Sequence, residues 1–316
     1  MTDSVGSDAD FEYDVAIVGG GPTGCSAGVF TARYGLDTVL FDRGRSSIAS
    51  CAHLENYLGF PAGIDVETLY ALMHDHVREV GCTLVSERVT TVGRVDSDAA
   101  GFRVETAEGR DMTARRVVAA TKYDGEYLRG LDDDAALFEK DEHHGEERER
   151  FARDYPDDDG RTPVPNLYVA GVLADRTDQA IIAAGHGAAV GQNVIRDVRR
   201  ERGYWDEALE PYDWRRRAAE LDAEWDDRDR WVEWFHDHRV PDDLDRDEAT
   251  VERVREEVID RSLETYLDSD EIATRRARGQ RRLAEHLDDD ALLAALDDEV
   301  IRRRAEQLSE PSTAEN

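Results

Sequence analysis

After Tyr13-Asp14, the apolar run Val15 to Val18 leads without a break into Gly19-Gly20-Gly21-Pro22-Thr23-Gly24, a GxGxxG turn that occurs once in the chain. A small-residue stretch follows as far as Tyr34, Gly35 is placed to close it in the left-handed conformation, and a second apolar run, Thr38 to Phe41, ends in Asp42. No other stretch restricts the fold as much, because strand, tight turn, helix and second strand at this spacing define a βαβ unit. Each residue type has a physical task. Gly19 lets the chain turn off the strand, Gly21 removes the side chain that would block a pyrophosphate, and Gly24 lets helix and sheet pack closely. Pro22 suits the first helical position, where a missing N–H costs nothing. The helix then directs its free amides and positive end at the phosphates. Asp42, about 20 residues beyond the turn, is placed to accept hydrogen bonds from a ribose with a free 2′-hydroxyl. The motif does not separate FAD from NAD, and a purely structural Gly-rich turn is the bland alternative.

The chain has 316 residues, enough for one large or two modest domains with a real core. Its formal net charge is -32, and of its 40 basic residues only Lys122 and Lys140 are lysine. This composition resembles proteins of extremely halophilic archaea, where molar salt shortens the Debye length to about 3 Å and screens self-repulsion. An acidic surface matched to a basic partner is the rival explanation, but the acids are spread through every region instead of forming one tail. Nucleic acid is not expected as a ligand, since the sequence suggests no basic stripe to neutralise phosphates. The acidic, polar first residues lack the features of a signal peptide, and no segment approaches 18 uninterrupted apolar residues, so a cytoplasmic protein without a membrane span is expected. Cys25, Cys51 and Cys82 form no CxxC, zinc pattern or disulfide framework. Cys25 and Cys82 read as buried small hydrophobes.

Beyond Asp42 an irregular loop leads to Leu54-Glu55-Asn56-Tyr57-Leu58-Gly59-Phe60-Pro61, and residues 66–80 show helical spacing through Leu69, Leu72, Met73, Val77 and Val80. Short strands are expected over 83–89, 91–95, 102–106 and 116–120, a small meander before the chain returns to the main sheet. Residues 124–163 are acidic and poorly periodic, which predicts a connector with at most one short helix. His143-His144 within it reads as solvated loop, and no metal site is expected. Residues 166–170 form a strand pattern, and a small-residue helix runs from Ala180 towards Val198. From 203 onward helical stripes dominate: Trp214, Leu221 and Trp225; Trp231, Trp234 and Phe235; Val251, Val254, Val258 and Tyr266; Leu292, Leu296 and Val300. They predict the core of a helical extension. His236 and His238, two apart, fall on different helix faces.

Three segments in order, Gly19 to Gly24, Glu55 to Pro61, and Tyr168-Val169-Ala170-Gly171 followed by Gln179 to Gly187, resemble the FAD domain of thioredoxin reductase-like flavoproteins. The resemblance covers roughly 13–122 and 160–200. It implies that the first motif holds the FAD pyrophosphate, that Asn56 contacts the flavin, and that Gln179 and Ala180 sit at its pyrimidine edge, where a helix N-terminus favours negative charge. Val89, Thr121 and Gly171 join the cofactor-binding set on the same ground. The departures are informative. That family inserts a second nucleotide domain with its own GxGxxG and a redox-active CxxC, and this chain has only the acidic connector there. The family's Gly-Asp reads Gly171-Val172, with Asp175 as a candidate substitute for the acid. Cys51, in the loop that runs past the flavin, and His53, two residues on, are weak catalytic candidates: a redox-active thiolate and a proton donor, against space-filling and backbone-bonded alternatives.

The expectation is therefore an α/β protein. It comprises an acidic, disordered N-terminus over 1–12, a Rossmann-like FAD-binding domain over 13–200 with a central parallel sheet and β-meander, and an all-α extension over 203–316. The expected function is FAD-dependent oxidoreduction of an unknown acceptor, without an internal dithiol. Electrons would come from free NAD(P)H, a ferredoxin-like carrier or a partner subunit, and the Trp-rich tail would cover the flavin or supply a homodimer interface. Two alternatives stay open: an NAD-dependent dehydrogenase, and a non-catalytic flavin- or nucleotide-binding module.

Overall fold

The computed structural model describes residues 11–44, 46–95, 101–143, 146–177, 179–210 and 213–309, without the side chains of 141–147. All of the expected N-terminal segment except its last two residues, and His144 of the histidine pair, lie outside the described residues.

The βαβ unit forms as its sequence dictates: β1 (Tyr13–Val18), α1 (Pro22–Tyr34) and β2 (Thr38–Phe41), with Gly35 left-handed at φ 95° and its amide donating to Ala32 O. A short ladder, β3 (His53–Leu54) with β4 (Ile64–Asp65), leads into α2 (Val66–Glu79), whose N-cap Asp65 accepts from the Thr68 amide. Next come β5 (Thr83–Val85), β6 (Val89–Arg94), β7 (Phe102–Thr106) and β8 (Asp111–Ala119). The sheet order is β5-β2-β1-β8-β7-β6. One strand joins two architectures. The first half of β8 pairs antiparallel with β7, and its second half lies parallel to β11 (Leu167–Val169) while β1 runs parallel along its other edge. The outcome is the expected α/β class, a central, mostly parallel sheet carrying a β-meander.

Apolar residues line both faces of the strands, as a sheet covered on both sides requires. On one face Val15, Ile17, Leu40 and Val118 meet Ala27 of α1 and Val190, Val194 and Ile195 of α4 (Ala180–Glu201). On the other, Val18, Phe41, Val117 and Val169 pack with Val92 and Phe102 of the meander and with Tyr127, Leu128, Leu137, Phe138, Phe151 and Val164.

Five of these, Tyr127, Leu128, Leu137, Phe138 and Phe151, correct the reading of 124–163 as a poorly structured connector. The segment holds a short helix, α3 (Asp134–Leu137), and an antiparallel hairpin, β9 (Phe138–His143) with β10 (Glu146–Phe151). The physical reason for the miss is visible in its strands, where only the root residues Phe138 and Phe151 are apolar. Their rings meet edge to face, 6.2 Å apart, while charged residues occupy the rungs between and mask the period-2 signal.

The C-terminal region divides differently from the single extension expected. One compact unit comprises Met1–Trp214 with Asp222–Thr265, and a second comprises Arg215–Leu221 with Tyr266–Asn316. In the first, α5 (Arg228–Arg239) and α6 (Glu248–Leu263) enclose Tyr204, Trp205, Phe235 and Val254, with Trp205 edge to face on Phe235 at 5.9 Å. Trp231 is buried as its stripe predicts, but Trp214 is 76% exposed and takes no part in a core. The second unit pairs β12 (Arg216–Arg217) with β13 (Tyr266–Leu267) and adds α7 (Ser269–Ala284), α8 (Asp289–Ala295) and α9 (Asp298–Ser309). Leu296 and Val300, read as core, are exposed. Among the described residues no helix is long and apolar enough to cross a membrane.

Candidate functional site

A cavity of about 810 Å³ opens beyond the C-terminal ends of β1, β2 and β8, where ligands bind in sheets of this kind. Of the residues singled out by sequence, Gly19, Gly21, Pro22, Asp42, Cys51, His53, Asn56, Val89, Thr121, Gln179 and Ala180 all line it. Gly24 and Gly171 do not; they let the walls close. A Cβ on Gly24 would stand 1.8 Å from Gly19 O, and one on Gly171, itself at φ 75°, would stand 2.5 Å from Thr23 Oγ1.

Two helices present their N-termini to the cavity, through Gly21, Pro22 and Thr23 of α1 and through Gln179, Ala180 and Ala183 of α4. Neither has a side-chain cap and neither has an acid in its first turn. Every other described α-helix opens with Asp or Glu in its first turn, and aspartate side chains cap α2, α3, α5, α6, α7 and α8. In a chain of net charge -32 the two exceptions are the helices that end at the cavity. Their free amides and positive ends make it receptive to anions.

Asp42 is 5% exposed, with its amide bonded to Val85 O. Behind it stands a group that the sequence reading missed. His74 Nε2 lies 3.0 Å from Gly20 O and 3.6 Å from Asp42 Oδ2. A carbonyl only accepts, so this nitrogen carries the proton. The Tyr70 ring tilts against the His74 ring at 4.2 Å; burial, and then the neighbouring Asp42, push the tyrosine pKa up. Cys25 Sγ also donates to Gly20 O, at 3.3 Å, and its thiol is pushed up to about 12 by burial, with Asp42 adding to the effect. Gly20 is confined in turn, since a Cβ there would sit 2.3 Å from Asp42 Cβ. The available signal was the four-residue spacing of Tyr70 and His74, one turn apart on α2.

At the other end of the cavity Asn56 Nδ2 donates to Gln179 Oε1 at 2.8 Å, joining two segments 123 residues apart. Thr121 Oγ1 donates to Asp124 O at 2.5 Å and lies 3.1 Å from the Tyr127 hydroxyl. Val172 lines the cavity, whereas Asp175 does not. Asp175, the candidate substitute for the acid, is left-handed at φ 55°, with its side chain 76% exposed and 3.5 Å from Arg153. His186 Nδ1 accepts from the Gly171 amide at 2.9 Å, and burial, with Arg176 adding, lowers its pKa. Cys51 is exposed, while Cys25 and Cys82 are buried. His53 lies 4.0 Å from Glu55.

Residues 13–134 match the family described as pyridine nucleotide-disulphide oxidoreductase. Thioredoxin reductase of Aquifex aeolicus is 28% identical over 123 residues, 38% of this chain and 37% of that protein. Thioredoxin reductase of Bacillus subtilis is 32% identical over 110 residues, 34% of this chain and 33% of that protein. The chain thus spans about a third of the length of the curated relatives it matches. A solved thioredoxin reductase from Gloeobacter violaceus aligns with TM-score 0.49 at 19% identity, covering 65% of this chain and 98% of that one.

Proposed function

We propose that this cavity holds FAD and that the chain is a flavin-dependent oxidoreductase. The observation that carries the reading is the pair of uncapped helix N-termini at the cavity, in a chain that caps or acidifies every other described α-helix. The cavity, at about 810 Å³, falls in the range of roughly 300–1,000 Å³ usual for cofactor sites. Bound FAD would supply hydride and electron exchange at its isoalloxazine ring. The chain's own residues bind and orient. Gly21 and the α1 amides receive the pyrophosphate, Asp42 accepts from the adenosine ribose, and Asn56, Gln179 and Ala180 border the isoalloxazine. The similarity of 13–134 to pyridine nucleotide-disulphide oxidoreductases supports the same class. The sequence holds neither a second GxGxxG nor a CxxC, so the reductant is free NAD(P)H, a carrier protein or a partner subunit.

Val172, where the resemblance leads one to expect an acid, favours a second reading, a flavin- or nucleotide-binding module without turnover. The visible spectrum of the protein purified in high salt tests the cofactor, and anaerobic titration with NADPH, NADH or reduced ferredoxin tests turnover. A yellow protein bleached by one of these donors is expected. A colourless protein that fails to take up added FAD defeats the proposal, and a yellow one inert to all three donors supports the module.

A further inference from the structure

Three helices of the first unit meet at Tyr34, the last residue of α1. The Arg199 guanidinium of α4 lies 5.4 Å from the centre of its ring, and the Arg261 guanidinium of α6 lies 4.2 Å away. Arg199 is 3% exposed. Its Nε donates to the Tyr34 hydroxyl at 2.8 Å, and its Nη1 donates to the carbonyls of Ala208, Leu209 and Glu210 at 3.1, 3.2 and 3.1 Å, all of them neutral acceptors. Arg261 has less, since its Nε is buried and meets no acceptor in the protein. Among the described residues neither guanidinium has a carboxylate at ion-pair distance, although the chain holds 72 acids against 40 arginines and lysines. Burial, with Arg199 adding, lowers the Arg261 pKa, the mark of a positive charge without a counter-charge.

Beside Arg261 lies a cavity of about 20 Å³, walled by Phe30 and Tyr34 of α1, Gln192 and Ile195 of α4, Asp213 and Arg261 itself. A volume of roughly 10–15 Å³ holds one water, so this one admits a single small particle and no carboxylate, sulfate or phosphate. The one acid in its wall is committed elsewhere. Arg33 grips Asp213 through Nε at 2.9 Å and Nη2 at 2.8 Å.

We propose that this cavity is a halide site, which takes chloride from the surrounding salt with the Arg261 guanidinium as its principal donor. A water would satisfy the Nε proton but leave two guanidiniums at one ring without a counter-charge. A chloride supplies the acceptor and the charge together. Bound there, it ties α6 to α1 and α4, so the seating of α6 on these two helices depends on the anion. The inference is independent of the flavin reading.

Diffraction from crystals of the full chain grown in bromide tests it, bromide standing in for chloride. An anomalous peak in the cavity, in contact with Arg261, is expected, and a cavity holding water alone overturns the proposal. Melting gives a second measure, with potassium held constant and chloride exchanged for gluconate, which is too large for the cavity. The shift in melting temperature from gluconate to chloride is more positive for the wild type than for Arg261→Gln, because only the wild type gains from binding the ion. Equal shifts in the two proteins overturn the proposal as well. Should Arg261→Gln fail to fold, the bromide experiment decides alone.

Discussion

The Gly-rich turn is held from behind by groups outside its motif, and that has measurable consequences for single residues. Gly20 O receives two donors, His74 Nε2 at 3.0 Å and Cys25 Sγ at 3.3 Å, and the same imidazole reaches towards Asp42. His74→Phe keeps a ring against Tyr70 but removes the stronger donor and leaves a buried carbonyl under-satisfied, a loss of about 1–3 kcal/mol. The melting temperature of the cofactor-free protein should fall accordingly, and FAD affinity should fall with it, because Asp42 and the turn are no longer fixed. An unchanged melt would mean that His74 only fills space. The cysteines give a second expectation. Burial holds the Cys25 and Cys82 thiols at about 12, against 9.0 when unfolded. The native state therefore favours the protonated thiols, and this contribution is complete below pH 9.0. Between 9.0 and about 12 the unfolded chain releases protons that the folded chain retains, so stability declines as pH rises through that window. Alkylation of the native protein below pH 9.0 should label the exposed Cys51 alone, with all three thiols labelled after unfolding. Native labelling of Cys25 would contradict the burial account.

At the scale of elements, the two cavity-facing helices forgo stability that their neighbours obtain. Aspartate at an N-cap stabilises a helix by roughly 0.5–2 kcal/mol, and an acid in the first turn adds a few tenths more. Gln179→Asp should therefore raise the melting temperature of the cofactor-free protein while weakening FAD binding, since the new carboxylate takes the amides and repels negative charge. Opposite signs in calorimetry and in flavin fluorescence titration are the expected signature. If both measurements improve, the open N-terminus of α4 has no ligand to serve. Legibility follows the same division. The unit from β1 to β2 and the helix α4 were readable because each signal is local: a strand period, a glycine turn, a stripe of small residues. The β9–β10 hairpin was not, because charges at its rungs hide the alternation that its buried Phe138 and Phe151 anchor. Half of the candidate site had the same fate. Gly21 and Asp42 declare themselves by spacing, whereas Asn56 and Gln179 entered only through family resemblance, and the hydrogen bond that joins them across 123 residues came from the fold. The link from His74 to Asp42 exists only once α2 has packed on the turn.

For the whole molecule the governing quantity is charge. With 72 acids against 40 arginines and lysines, most of the excess cannot be neutralised within the chain. Arginine is used where one cation serves several acids. Arg129 contacts Glu126, Asp134 and Glu149, and Arg228 contacts Glu256 and Asp260. Arg161 grips Asp197 through two nitrogens, while Arg200 and the Tyr168 hydroxyl bond the same carboxylate. Planar, always-charged guanidinium suits such forks better than ammonium does. Pairs exposed on the surface contribute little individually and weaken with salt, so raising ionic strength alone would cost the molecule something. Self-repulsion among the surplus acids acts in the other direction and over a longer range. It is felt across about 10 Å at 0.1 M salt and about 3 Å at 1 M. The net of 32 unmatched negative charges makes repulsion the larger effect. The melting temperature should therefore rise from dilute buffer to molar KCl, with flavin retention rising in parallel. Sucrose, which favours compact states by exclusion without screening charge, should reproduce little of the gain. A melt indifferent to KCl would show that the acids are not mutually destabilising, and an equal response to sucrose would assign the gain to exclusion instead of screening.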